Sequence, residues 1–283
     1  MTAPQGWLLH VEHSTRFAYA QPAHASYNET RLIPVTTLTQ TTLESRVLTQ
    51  PPASQRRYWD YWGNMVVAFD LPNAHEQLSV TATSTVETHP DGQRPRAGWD
   101  EIGDPREQDR LAELLAPTAL TVLPDELIEE CVRLRATADP ATAAQEAMRV
   151  VGQRLHYERG GTDTMTTAAD AWAAGHGVCQ DFAHLTLAIL RQLGIPSRYV
   201  SGYVHPRAGA AAGETVDGES HAWVEAWTGD WWGIDPTNDV AAGHRHVIVA
   251  RGRDYADVPP IKGVYAGPPH QQMTVTVQIT RLR

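Results

Sequence analysis

The sequence predicts an α+β protein: an N-terminal antiparallel β domain, then a core of helices packed on an antiparallel sheet. Three observations predict it. The first ninety residues break into short β-forming runs separated by turn chemistry, helical periodicity begins only after residue 110, and three strand-like runs follow the last helix. A length of 283 residues suits one large or two modest domains, and the change of pattern after residue 110 favours two. Their expected bounds are 1–95 for the β domain, 96–112 for a linker, and 113–283 for the core with a C-terminal strand.

The expected strands of the first domain are Trp7 to Glu12, Tyr27 to Ile33, Thr41 to Thr49, Arg57 to Tyr61, Met65 to Leu71 and Gln77 to Val86. Gln21-Pro22, Pro51-Pro52 and Gly63-Asn64 punctuate them as turns. The stretch 89–110, HPDGQRPRAGWDEIGDPREQDR, combines Pro, Gly and charge, the composition of a connection. A helix is expected from Pro124 to Arg135, acidic at its start and basic at its end, with Leu127, Cys131 and Leu134 on one stripe. Cys131 is therefore read as a packed, inert thiol. A second helix is expected from Ala141 to Tyr157. A third begins at Cys179 with Phe182, Leu185 and Ile189 on its core face, stopped by Gly194 and Pro196. SRYVSGYV, HAWVEAW and WWGID then read as strands, and MTVTVQI near the end alternates cleanly.

Composition narrows the function. Apolar residues at 42% and charged ones at 20% exclude a disordered chain. With 23 Lys plus Arg against 33 Asp plus Glu, the net charge of −10 repels phosphate backbones, so no nucleic acid is expected as partner. No apolar run approaches the ~20 residues that cross a bilayer, so no membrane is expected either. The start, MTAPQGWLLHVEHSTRF, lacks a basic stretch leading into an apolar one, and the expectation is a cytoplasmic protein. Two cysteines are too few for a disulfide framework or a four-cysteine zinc site.

Cys179 sits differently from Cys131. Gly175 and Gly177 let the chain turn tightly and enter the helix at the cysteine itself. A thiol there faces unpaired backbone N–H groups and the positive end of the dipole, which favour thiolate. The same N–H groups can receive an oxyanion forming on an attacked carbonyl. A thiolate nucleophile needs a base and an orienter. His221 opens HAWVEAW and Asp235 closes the next strand, so a hairpin through Thr228-Gly229-Asp230 brings them to neighbouring ends of a strand pair. That is the arrangement of a Cys-His-Asp triad. His184 lies about 140° around the helix from Cys179 and reads as structural. His176 and His205 are candidates for the site entrance, and Glu225 for a satisfied sheet or rim carboxylate. A metal reading through Cys179, His184, His205 and His221 has no close-set pair among its ligands. His244 and His246 are close-set but lie in a polar turn with no nearby partner.

GVCQDFAHL at 177–185, SHAWVEAW at 220–227 and GIDPTN at 233–238, in that order, resemble the transglutaminase-like superfamily in its bacterial cysteine protease branch. HSTRFAYAQP at 13–22, RLIP at 31–34 and DYWGN at 60–64 resemble the bacterial transglutaminase-like N-terminal domain, and 246–267 is similar to the end of that family. The resemblance implies a papain-like core with Cys179 as nucleophile, His221 as general base and then acid, and Asp235 as orienter. It implies attack on the amide of a peptide or protein substrate through a thioester, completed by water. Acyl transfer to an amine and a non-catalytic binding scaffold are the alternatives. Gln180, Tyr157, Trp172 and Trp223 are unranked candidates for the second oxyanion donor or the substrate wall. Trp227, Trp231 and Trp232 are further candidates for shielding an intermediate. Animal transglutaminases use calcium, but no acidic loop here resembles an EF-hand, so no metal or cofactor is expected.

Overall fold

The computed structural model describes residues 6–90, 94–95 and 97–283. The first five residues of the start read above, and positions 91–93 and 96 of the linker region, lie outside the described residues. The chain forms two antiparallel sheets, with helices against the second. Strands β1 (Trp7–Thr30), β2 (Gln40–Gln50), β3 (Gln55–Trp59), β4 (Met65–Leu71) and β5 (His75–Thr88) build most of the first sheet.

The Gln21-Pro22 turn expected from the sequence does not form. β1 runs on for 24 residues and changes partners there: Trp7–Ala18 pairs with β5, while Ser26–Thr30 pairs with β4. The ladder slips between Ala18 and Ala23, and Ala25 takes a positive φ of 49°. Pro22 has no N–H to give, so it marks an irregularity in a continuing strand rather than its end.

The linker region is structured where it is described. It forms three short helices, α1 (Trp99–Ile102), α2 (Pro105–Arg110) and α3 (Ala112–Leu115), and Ile102 and Leu114 are buried. The Asp104 side chain accepts from the Arg106 N–H to start α2, and Trp99 Nε1 donates to the Thr137 carbonyl. Next come α4 (Ile128–Arg135), after one 3₁₀ turn, and α5 (Pro140–Arg154), capped by Asp139. Cys131 is buried on α4 as expected, and burial pushes its thiol up to about 11, with Glu130 adding to the shift. α5 ends before Tyr157 because His156–Tyr157 (β6) pairs in parallel with His176–Gly177 (β7), flanking α6 (Ala168–Ala174).

Helix α7 (Cys179–Gln192) is the centre of the core, buried on nearly every face from Gln180 to Arg191. That is the pattern of a helix surrounded by structure. It packs on β8 (Ser197–Val204) and β10 (Ser220–Trp227) of a sheet completed by β11 (Trp231–Asp235), β12 (Val240–Ala241) and β13 (His246–Gly252), in the order β12-β11-β10-β8-β13. Ala222, Val224 and Ala226 face α7, so period-two alternation turns Trp223 and Glu225 to the other face. Glu225 is the satisfied sheet carboxylate expected. It accepts from Arg198 Nε at 2.5 Å and Arg251 Nε at 2.8 Å, and the two guanidiniums outweigh burial to hold it well below the usual carboxylate range.

Two features join the sheets. The tail strands β14 (Ile261–Ala266) and β15 (His270–Arg281) pair with β1, so the C-terminal strand expected with the core completes the first sheet instead. Between β8 and β10, Thr215–Gly218 (β9) pairs with the outer side of β15, and the chain then returns at Ser220 to begin the strand of His221. The outward edge of β13 is covered by two side chains of the β domain. Buried Gln40 accepts from the Ile248 N–H at 2.8 Å and donates to its carbonyl at 2.8 Å. Buried Asn64 does the same for Arg251, at 2.7 and 2.8 Å. These amides stand in for the next strand of the ladder. Among the described residues no helix is long and apolar enough to cross a membrane.

Asn64→Ala leaves a buried N–H and carbonyl unpaired, and the expected loss is about 1–3 kcal/mol, read as a lower urea midpoint. A pH effect follows from His13, buried between the sheets with Nδ1 2.9 Å from the Tyr203 hydroxyl. Burial lowers its pKa from 6.5 to about 4. Between those values the unfolded chain binds the extra proton, so stability falls as pH drops from 6.5 to about 4. The contribution is about 3 kcal/mol and is absent in His13→Gln. Urea titrations across that window check both the slope and its loss.

Candidate active site

The loop before α7 is shaped by two glycines. Gly175 ends α6 in the left-handed region at φ 74°, where a Cβ would come within 2.7 Å of the Arg154 guanidinium. At Gly177 a Cβ would lie 2.6 Å from Asp181 Oδ2. The space keeps Asp181 folded back over the helix start, where it accepts from the Val178 N–H at 2.8 Å and the Thr162 hydroxyl at 2.6 Å. Burial pushes the Asp181 carboxyl up, and these two donors hold it back only in part. Val178 is thereby satisfied ahead of the helix. The N–H groups of Cys179 and Gln180, in the first turn, meet no acceptor among the described residues. Cys179 is a half-buried free thiol at this end.

His221 and Asp235 meet as the strand pairing requires. Val224 lies opposite Ile234, so the continuing register sets Asp235 beside the start of β10. His221 Nε2 donates to Asp235 Oδ2 at 2.8 Å, which leaves Nδ1 as the ring nitrogen for the thiol. Burial alone would lower the His221 pKa. The hydrogen bond to Asp235 and the neighbouring Cys179, with the negative charge each carries when ionised, raise it to about 10. The ring stacks on the Trp223 indole, with centroids 6.0 Å apart. Asp235 has no exposed surface, and burial alone would raise its carboxyl; its bonds to His221 and His246 hold it well below the usual carboxylate range. The DPTN turn folds back so that the N–H groups of Thr237 and Asn238 donate to Oδ1, at 3.1 and 3.2 Å, and Asn238 Nδ2 donates to Oδ2 at 2.7 Å.

The other candidates separate. Tyr157 pairs with Gly177 across the β6–β7 bridge, and burial, then the neighbouring Cys179 and Glu219, push its phenol up, so it borders the thiol. Gln180 is buried and its side chain donates to the Asp163 carbonyl at 3.4 Å. Trp172 packs with the Arg154 guanidinium 5.4 Å from its ring. Trp223 has no exposed surface and backs the imidazole. Trp227 and Trp231 meet edge to face at the far end of β10, about 20 Å along the strand from His221, and Trp232 fills the core.

His176 is half-buried with Nδ1 3.6 Å from the Glu158 carboxylate, next to Gly177. His205 is not at an entrance: it is buried with its ring edge-on to Trp7 at 5.4 Å. His184 is buried too, and its Nε2 accepts from the Tyr255 N–H. Among the described residues no three His, Cys, Asp or Glu side chains form a metal-holding group. Sequence reasoning missed His246 and Asn238. His246 was read into a polar turn, but it is the first residue of β13, buried, with Nε2 3.1 Å from Asp235 Oδ2. The available signal was the run of β-branched residues Val247-Ile248-Val249 directly after the histidine, which marks a strand beginning there.

Residues 9–87 match the bacterial transglutaminase-like N-terminal region, and residues 131–236 match the transglutaminase-like superfamily. An uncharacterised protein of Mycobacterium leprae is 45% identical over 98% of this chain and 99% of its own length. An uncharacterised protein of Mycobacterium tuberculosis is 33% identical over 95% of this chain and 91% of its own. A solved structure from Cytophaga hutchinsonii, described as a candidate cysteine protease, superposes with a TM-score of 0.76 at 21% identity, covering 96% of this chain and 90% of that one. The chain belongs to the transglutaminase-like superfamily, with the bacterial transglutaminase-like N-terminal region as its first part.

Proposed function

We propose that the protein hydrolyses a peptide or amide bond through Cys179, His221 and Asp235. The observation that carries this reading is the half-buried thiol at an open helix start beside an imidazole that is bonded to a fully buried carboxylate. Cys179 attacks the carbonyl carbon as thiolate, its proton passing to His221. The oxygen takes up the negative charge against the free N–H groups of the first helical turn. His221 gives its proton to the leaving amine as the C–N bond breaks, leaving a thioester and a neutral imidazole. That imidazole then takes a proton from water, the hydroxide adds to the thioester carbon, and the carboxylic acid and free thiol are released. Asp235 orients the ring and balances its charge throughout. Water is favoured over an amine as acceptor because the indoles of Trp227, Trp231 and Trp232 pack at the far end of the strands or in the core, not around the thiol.

Iodoacetamide near neutral pH is expected to modify Cys179 well before Cys131, with His221→Ala slowing the reaction at least about tenfold. Equal labelling of both thiols in the folded protein would sink the activated-thiol reading. Cys179→Ala is expected to abolish peptide hydrolysis, and mass spectrometry of acyl groups trapped on Cys179 identifies the substrate class. A glutamine peptide with a labelled primary amine reads the acceptor directly: incorporation of the amine would replace hydrolysis by transfer. His221 is protonated below its raised pKa, so kcat/KM is expected to hold through neutral pH and fall as pH passes about 10.

A further inference from the structure

We propose that His246 is a positioning residue, whose Nε2–H holds the Asp235 carboxylate in the one orientation that serves His221. The inference rests on Asp235 being the orienter of His221. The tautomer is set by the backbone: the Gly243 N–H donates to His246 Nδ1 at 3.2 Å, so the ring proton sits on Nε2 and points at Asp235 Oδ2, 3.1 Å away. Burial keeps the ring neutral, which makes it a donor without a competing charge. Its orientation is fixed by the edge-on indole of Trp223 at 5.1 Å and by pairing of His246 with Val204 across the sheet.

A carboxylate with no water contact must gather its donors from the protein. Oδ1 takes the two backbone N–H groups of the DPTN turn. Oδ2 is held from three sides, by His221, His246 and Asn238. Asn238 is exposed, so His246 is the one Oδ2 donor that is both buried and outside the reacting pair. Without it, His221 is the one buried donor left to Oδ2 among the described residues. A cavity of about 400 Å³ between the 36–40 segment and the sheet reaches His246, Trp223 and Ile248, so a different side chain at 246 has room.

The test is an NMR titration of the His221 ring in ¹⁵N-histidine-labelled protein, which needs no substrate, alongside thermal unfolding. His246→Phe and His246→Met remove the donor, and His246→Gln keeps an N–H in its place. In either donorless variant the His221 titration is expected to move down by about one pH unit, while Gln stays near the wild type. A His221 titration that stays put or moves up in a folded donorless variant overturns the inference, as does a Gln variant shifted as far as Phe. A role in folding alone would lower the unfolding temperature and leave the titration where it was. Wild-type His221 titrating near 6.5 would instead remove the ion pair on which the hydrolase reading stands.

Discussion

The buried carboxylate of Asp235 is the constraint around which the core is arranged. Taking an anion wholly out of water is costly unless donors replace the lost hydration. Here the replacements come from three places in the sequence: the start of β10, the turn after β11 and the start of β13. Each donor sits at a strand end, where side chains converge without breaking the ladder. The arrangement depends on the order β12-β11-β10-β8-β13, which returns the chain to the same end of the sheet. The ionised carboxylate in turn raises the pKa of the His221 ring beside it.

The β domain belongs to the same structural argument. Its Gln40 and Asn64 amides close the exposed edge of β13, the strand that begins with His246. β9, lying against β15, fixes where the chain re-enters the second sheet just before His221. The first sheet thus supports both ends of the histidine–carboxylate network. The buried Glu225, Arg198 and Arg251 cluster has a similar supporting place, cross-linking β8, β10 and β13 beneath the cavity between the domains.

Much of this was legible in the residues because its causes are local. Period-two and 3.6-residue patterns marked β4, β10, α4 and α7, and the buried stripe through Leu127, Cys131 and Leu134 set one cysteine apart from the other. Hairpin pairing through residues 228–230 was enough to bring His221 to Asp235. The errors arose where a local signal was outweighed by long-range pairing. Gln21-Pro22 has the chemistry of a turn, yet β1 continues because β4 and β14 stand ready beyond the irregularity. The 89–110 segment reads as a connection by composition, yet the chain turns helical from Trp99 on, burying Ile102 and Leu114.

The sequence by itself determined the two-part α+β organisation, the helix start at Cys179 and the strand pair that carries His221 and Asp235, since each follows from spacing and turn chemistry within a few residues. Only the tertiary structure decided that the C-terminal strands close the first sheet, that Gln40 and Asn64 cap β13, and that His246 reaches the carboxylate. Those contacts join residues from about ten to more than two hundred positions apart. No periodicity encodes them, because partner choice between strands depends on which edges remain unpaired once the core has packed.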